Sequence, residues 1–144
     1  MRPPANFCQV CGHALEDRLA HGKMRRVCPA CGFIHFEDPK VAVAAFIENQ
    51  GCVLLVRRAF NPQRGKWALP AGYVDYGEDP AAAVIREVKE ETGLDSAIAG
   101  LLEVSGGTGQ VGASIVITYA ATVLGGVSDD NRGPDLSRSS AHFQ

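Results

Sequence analysis

Residues 72–94 read GYVDYGEDPAAAVIREVKEETGL, and this stretch decides the fold. Asp79 is a typical N-cap residue, and Pro80 directly after it suits the first position of a helix. Gly93 is suited to the left-handed conformation that commonly ends a helix. The stretch therefore predicts a helix over 80–92. Its apolar residues recur at i, i+3, i+4 and i+7, the spacing of one buried face that packs on a sheet: Ala81, Val84, Ile85 and Val88.

Three carboxylates follow the same helix at i, i+3 and i+4, namely Glu87, Glu90 and Glu91. This spacing places them on one edge of the helix, beside the buried face, where like charges destabilise it by about 0.2–0.5 kcal/mol per pair. Arg86 or a bound cation would neutralise them, and oxygen ligands of this kind suit Mg²⁺ or Mn²⁺. Taken alone, the cluster is more typical of a solvated acidic face.

The glycines and charged residues around these glutamates follow a longer pattern. It is Gly-x5-Glu-x7-Arg-Glu-U-x-Glu-Glu-x-Gly-U, in which U is aliphatic, and it is met at Gly72, Glu78, Arg86, Glu87, Val88, Glu90, Glu91, Gly93 and Leu94. The pattern resembles the Nudix box, so the chain resembles the Nudix hydrolases at every fixed position. The resemblance implies an α+β fold, a Nudix-type α/β/α sandwich with a mixed sheet.

The resemblance also implies hydrolysis of the phosphoanhydride in a nucleoside diphosphate linked to another group, with Mg²⁺ or Mn²⁺ as cofactor. Glu87 and Glu91 would then be direct metal ligands, and Glu90 a further ligand or the group that activates water. Ala71 would offer its backbone carbonyl to the metal. No Ser or Cys lies within the box, so a phospho-enzyme intermediate is not indicated.

Four other residues of the box are expected to support the site. By the same resemblance, Glu78 and Arg86 form the ion pair that fixes the loop against the helix. Gly72 and Gly93 are expected to have structural roles.

Four of the five cysteines form two Cys-x2-Cys pairs, Cys8 with Cys11 and Cys28 with Cys31. This spacing is typical of a tetrahedral Zn²⁺ site whose four thiolates leave no open position, which makes the site structural. A segment this poor in aliphatic residues would depend on the metal to fold. A pair of redox dithiols is the alternative.

The remaining elements are predicted from apolar runs and turn residues. Strands are expected over 41–47, 52–56, 67–70, 98–104 and 114–123, with a loop over 71–77. The predicted domains are a zinc ribbon over 1–37, an incomplete Nudix domain over 38–127, and a tail over 128–144 that is expected to be disordered.

A zinc ribbon in front of a Nudix domain resembles the branch that contains NADH, FAD and ADP-ribose pyrophosphatases. The sequence departs from this branch in two ways. Residues 105–114 read SGGTGQVGAS, which does not match the signature of the NADH-specific enzymes. The strand and helix that relatives carry after Gly125 and Gly126 are also missing, so the chain looks truncated at its C-terminus.

A second hypothesis comes from another class of function. In it, the ribbon binds RNA or a protein and the truncated Nudix domain is inactive. The short basic run of His21, Lys23, Arg25 and Arg26 supports this hypothesis, although such a run is also typical of a solvated hairpin.

The overall composition limits the partners and the compartment. The net charge is −2, with 14 Lys and Arg against 16 Asp and Glu. The overall charge therefore does not favour binding to nucleic acid or to anionic membranes. A small nucleotide is the expected partner, and neither nucleic acid nor a membrane is. No apolar run is long enough to span a bilayer, and cysteine usage favours a reducing compartment, so a cytoplasmic location is predicted. The truncation would leave an edge strand of the predicted sheet unpaired, and an unpaired edge strand would favour a homodimer.

Overall fold

The computed structural model describes residues 4–59, 63–106, 115–126 and 141–143. The chain divides into two compact units, Met1–Asp38 and Pro39–Gln144.

The first unit is a small three-stranded antiparallel sheet. Its strands are β1 (Glu16–Ala20), β2 (Lys23–Val27) and β3 (Ile34–His35), with β2 in the middle. The buried residues are Cys8, Leu15 and Cys28, with Ala5 and Phe33 packed against them. So small an apolar cluster agrees with a unit stabilised by a metal.

The second unit is a mixed sheet with one described helix. Its elements are β4 (Val41–Asn49), β5 (Cys52–Arg57), β6 (Trp67–Ala68), β7 (Ala71–Tyr73), α1 (Pro80–Thr92), β8 (Leu94–Gly106), β9 (Ile115–Gly126) and β10 (Ala141–Phe143). The sheet order is β10-β5-β4-β9-β8, with β6 paired to β5 and β7 to β4. Only the β4–β9 pair is parallel among these pairings. The predicted α+β class with a mixed sheet is confirmed, and α1 is the helical layer within the described residues.

The helix has the predicted bounds and both predicted caps. The Asp79 carboxylate accepts hydrogen bonds from the backbone N–H groups of Ala81 at 2.8 Å and Ala82 at 3.2 Å. Gly93 has a left-handed φ of 76°, and its N–H donates to the Lys89 carbonyl at 2.9 Å. Local sequence signals therefore sufficed to place α1.

The buried face of α1 differs from the predicted one. Its buried residues are Ala83, Val84, Val88 and Thr92, whereas Ile85 is 36% exposed and Ala81 is half-buried. A Cβ at Gly72 would collide with the Glu87 carboxyl, so this glycine gives the helix a close approach to β7. The Glu87 side chain lies against this glycine and is 14% exposed, whereas the Glu90 side chain is 58% exposed.

Three predictions about strands are corrected. The predicted loop over 71–77 begins with β7, since residues 71–73 pair with residues 42–44 of β4. The strand predicted over 98–104 begins at Leu94, directly after the helix cap. The last long strand, β9, is not an open edge, because β4 and β8 flank it.

The predicted tail contains one strand. Residues 141–143 pair antiparallel with residues 54–56 of β5, so the prediction of disorder is wrong for these three residues, which gain backbone hydrogen bonds from a strand edge. The rest of the tail lies outside the described residues. Residues 107–114, which belong to the stretch compared above with the signature of the NADH-specific enzymes, also lie outside them. Within the described part of the chain, β8 and β10 are the two end strands of this sheet order, and the homodimer stays a prediction.

Candidate active site and zinc cluster

Arg86 lies at the centre of a group of carboxylates. Its guanidinium binds both oxygens of Glu78, with Nε 2.8 Å from Oε1 and Nη2 2.9 Å from Oε2. Nη1 contacts Glu87 at 2.7 Å and Glu90 at 3.2 Å, and Nη2 also donates to the Tyr73 carbonyl at 3.1 Å. One cation thus joins the loop after β7 to three carboxylates.

The Glu78–Arg86 pair has a marked effect on the carboxyl group. The Arg86 guanidinium lowers the pKa of Glu78 from its ordinary 4.5 to about 2, with a smaller contribution from the Asp75 N–H, which donates to Glu78 at 3.0 Å. Because the folded pKa is depressed, the pair stabilises the fold fully above pH 4.5. That stability is lost as pH falls towards 2.

We expect the free energy of unfolding of Glu78→Gln to fall less steeply than that of the wild type as the pH is lowered from 4.5 to 2. Chemical denaturation of both proteins between pH 2 and pH 6 measures this, and the difference between them should shrink as pH falls from 4.5 to 2. An acidic control is Glu103→Gln, which removes an exposed carboxylate on β8. A constant difference between wild type and Glu78→Gln across this range would contradict the assigned pair.

Glu91 lies on the inner side of the cluster and is held by the backbone. Its Oε2 accepts a hydrogen bond from the Ala71 N–H at 3.0 Å. Burial raises the pKa of Glu91 to about 7, although the Ala71 N–H opposes this, while the charge of Glu87 adds to it and that of Arg58 opposes it. A carboxyl that binds a proton this readily occupies a place where a cation would compete with the proton.

A cavity of about 190 Å³ opens beside Glu91. It is lined by Val56, Arg58, Ala59, Ala68, Leu69, Ala71 and Glu91. The cavity therefore joins the backbone of Ala71 and the Glu91 carboxyl to a second cation, Arg58.

Arg58 was not predicted from the sequence. Its backbone is fixed at the end of β5, with its N–H donating to the Lys66 carbonyl at 2.9 Å and its carbonyl accepting from the Gly65 N–H at 2.8 Å. The neighbouring Arg57 instead donates from Nε to the Gly65 carbonyl at 3.1 Å. Strand alternation from Val56, which also lines the cavity, is the signal that could have identified Arg58.

The structure divides the three predicted carboxylates. Glu87 and Glu90 share Arg86, whereas Glu91 faces the cavity with Ala71. Four carboxylates, including Glu78, are gathered around two arginines. This excess of negative charge and the all-oxygen donor set fit a hard divalent cation such as Mg²⁺ or Mn²⁺.

The four predicted zinc ligands form a compact cluster. Their Sγ atoms all lie within 4.8 Å of one another, with separations of 3.7 Å for Cys8–Cys31, 3.4 Å for Cys11–Cys28 and 3.5 Å for Cys11–Cys31. Four sulfurs about 2.3 Å from a tetrahedral zinc are about 3.8 Å apart. The donor set therefore fits one Zn²⁺.

The two halves of the cluster are built alike. Gly12 N–H donates to the Cys8 carbonyl at 2.9 Å, Gly32 N–H donates to the Cys28 carbonyl at 3.0 Å, and both glycines have a φ of 76°. Backbone N–H groups, first that of Cys31, lower the pKa of Cys28 to about 6, whereas hydrogen bonds with the Cys28 and Cys31 thiols raise the pKa of Cys11. A lowered thiol pKa favours the thiolate form that binds metal.

We expect about one zinc per chain in protein purified without chelator, because the four thiolates fit one closed site. Elemental analysis and thiol titration measure this. Cys28→Ser should lose zinc and Cys52→Ser, in β5, should keep it. Near-zero zinc together with disulfides would instead indicate redox dithiols.

Comparison with known proteins establishes the family. Residues 38–138 match the family model described as the NUDIX domain, and residues 6–37 match the one described as Nudix N-terminal, a zinc ribbon. The chain therefore belongs to the Nudix family. No helix within the described residues is long and apolar enough to cross a membrane.

Individual relatives agree with this assignment. An ADP-ribose pyrophosphatase of Methanocaldococcus jannaschii is 43% identical over 90 residues, which are 61% of this chain and 53% of that protein. A NAD-capped RNA hydrolase NudC of Stutzerimonas stutzeri is 36% identical over 62% of this chain and 31% of its own length. The chain thus spans about half or less of these curated relatives.

Solved structures show the same fold. A crystal structure of a NUDIX hydrolase from Nitrosomonas europaea has a TM-score of 0.76 and 33% identity, covering 84% of this chain and 69% of that one. A UDP-X diphosphatase structure has a TM-score of 0.62 at 24% identity, covering 76% of this chain and 52% of that one. At that identity the second comparison supports the fold alone.

Proposed function

We propose that the protein is a metal-dependent nucleotide pyrophosphatase that hydrolyses the phosphoanhydride of a nucleoside diphosphate linked to another group. The observation that carries this proposal is the carboxylate cluster around Arg86, with Glu91 and Arg58 facing one cavity. The cavity thereby brings together an acidic group that can bind a cation and an arginine that can bind phosphate. A solvated acidic face would not place Glu91 in a cavity.

The residues around the cavity would have different roles in the reaction. Glu87 and Glu91 would hold a Mg²⁺ or Mn²⁺ ion with the Ala71 carbonyl, and Glu90 would be a further ligand or accept the proton of the attacking water. When bound, such a cation offsets charge on the pyrophosphate oxygens and lowers the pKa of a bound water. Arg86 fixes the directions of Glu87 and Glu90, and Arg58 adds positive charge where phosphates enter.

ADP-ribose, FAD and NADH-like dinucleotides are the proposed substrates. Support comes from relatives named for ADP-ribose, NAD-capped RNA and NAD(P)H, and from the zinc ribbon in front of the domain. We further propose that the protein works in the cytoplasm, because a reducing compartment favours free thiols such as those of its four-cysteine site.

A substrate panel tests the proposal. FAD, NADH, ADP-ribose and nucleoside triphosphates are incubated with the protein and Mg²⁺ or Mn²⁺, and mononucleotide release is measured. We expect a diphosphate-linked compound to have the highest specificity constant. A triphosphate cleaved at least about tenfold better, a gap of about 1.4 kcal/mol in transition-state stabilisation, would contradict the substrate class.

The same panel separates the enzyme from the alternative of an inactive module. Absence of metal-dependent hydrolysis of every compound, in protein that is folded and holds zinc, would favour a ribbon that binds RNA or a protein. Activity that Glu91→Gln abolishes would favour the enzyme.

A further inference from the structure

One face of the first unit's sheet combines basic side chains with an exposed aromatic ring. Arg18 lies opposite Arg25 across β1 and β2, and directly opposed residues of neighbouring strands project to the same face. The Arg25 guanidinium lies over the Phe36 ring, 4.7 Å from its centroid. Lys23 is two residues from Arg25 and therefore shares its face. We call these four residues, together with His21, the basic–aromatic face.

The geometry of this face is fixed by local contacts. Arg25 Nε donates to the Ala20 carbonyl at 3.2 Å, which holds the guanidinium beside the ring. His21, at the hairpin turn, lies with its ring centroid 6.1 Å from that of Phe36 and tilted by 35°. Phe36 remains 47% exposed. An exposed ring is thus flanked by a cation and a second aromatic group.

The opposite face of the same sheet has a different character. Arg26 there is occupied by the Ala5 carbonyl at 2.9 Å and by Asp17 at 3.4 Å. Leu19 and Met24 lie opposite each other on that face. On the basic–aromatic face, Glu16 pairs with Arg18 at 2.9 Å, and Lys23 has no ion pair among the described residues. The positive charges on this face that have no ion pair among the described residues are therefore those of Lys23 and Arg25, and Arg25 lies beside Phe36.

We infer that the basic–aromatic face binds single-stranded RNA, with one base stacked on Phe36 and the adjoining phosphates contacted by Lys23 and Arg25. An aromatic ring on a small sheet, beside basic side chains, is the arrangement by which unpaired bases are bound. A duplex does not offer an unpaired base face to Phe36. RNA is the occupant because its loops and ends commonly present unpaired bases.

The net charge of −2 had given no expectation of a nucleic-acid partner. The first unit differs from the whole chain, because residues 1–38 contain five arginine and lysine side chains and four carboxylates, a formal charge of +1. One of these carboxylates, Asp17, lies on the opposite face with Arg26. We expect few phosphate contacts and hence a shallow dependence of binding on salt. The inference does not depend on the proposed hydrolysis, and either can fail alone.

The test is fluorescence anisotropy of labelled hexauridylate with the full chain at low salt, without added divalent cation or chelator. Phe36→Ala should weaken binding about tenfold, within the range that losing a base–aromatic stack costs. Phe36→Trp should restore it. Phe7→Ala removes another exposed aromatic ring of the same unit, 68% exposed, and should leave binding unchanged. Thermal melts establish that each variant is folded.

Charge and strandedness are tested separately. Lys23→Gln should reduce the slope of log affinity against log salt by about 0.7, the value for one phosphate contact on a single strand. Equal binding of duplex RNA, full competition by tripolyphosphate, tighter binding of the deoxythymidine hexamer, or no effect of Phe36→Ala would each overturn the inference. Undetectable binding of hexauridylate at low salt would also overturn it.

Discussion

Glu91→Gln is expected to lower turnover at least about a hundredfold while leaving the fold intact, since even groups that only orient metal ligands are worth about 10–100-fold. Glutamine keeps the length of the side chain and its acceptor oxygen for the Ala71 N–H, which contacts Oε2 at 3.0 Å. It removes the charge that faces the cavity beside Arg58. Steady-state kinetics at saturating Mg²⁺ and thermal melts measure the two effects.

Two further variants make this result specific. Glu87→Gln should reduce turnover in the same way, because Glu87 is the other proposed direct ligand. Glu103→Gln removes an exposed carboxylate from β8 and should behave as wild type. Near-wild-type turnover of both Glu87→Gln and Glu91→Gln would mean that the helix carries a solvated acidic face.

The parts of the structure that the sequence predicted well are those with local signals. Asp79, Pro80 and Gly93 each act within one turn of the helix, so the bounds of α1 follow from neighbouring residues. The cysteine cluster is similar, because each Cys-x2-Cys pair forms its own turn and only the meeting of the two turns is non-local.

The parts that were missed depend on contacts distant in sequence. Residues 71–73 form a strand only because β4 pairs with them, and residues 141–143 pair with β5 from almost 90 residues away in the chain. The position of the Glu87 carboxyl depends on the space left at Gly72. Periodicity identified Val84 and Val88 of the buried face of α1, but it did not identify Ala83 and Thr92 and could not show that the Glu87 side chain would be largely covered.

Gly72→Ala is expected to reduce turnover about 10–100-fold, the cost of disturbing a group that orients a metal ligand. Gly72 pairs with Val43 in ordinary strand geometry, so its backbone accepts alanine. The added Cβ would collide with the Glu87 carboxyl, which lies at the end of a flexible side chain and can move away. The thermal midpoint should therefore shift by less than about 4 °C, which is about 1 kcal/mol at this size.

The cause of this loss is tested by combining it with Glu87→Gln. If the added methyl group acts by displacing the Glu87 carboxylate, the double variant should be little slower than Glu87→Gln alone, because both changes remove the same interaction. Gly100→Ala, on β8 with no atom within 4 Å of the new Cβ, is the matched control and should keep full activity. Multiplicative losses in the double variant would show that Gly72 acts through something other than Glu87. In that case the close approach of α1 to β7, rather than the direction of one carboxylate, would be what the glycine provides for catalysis.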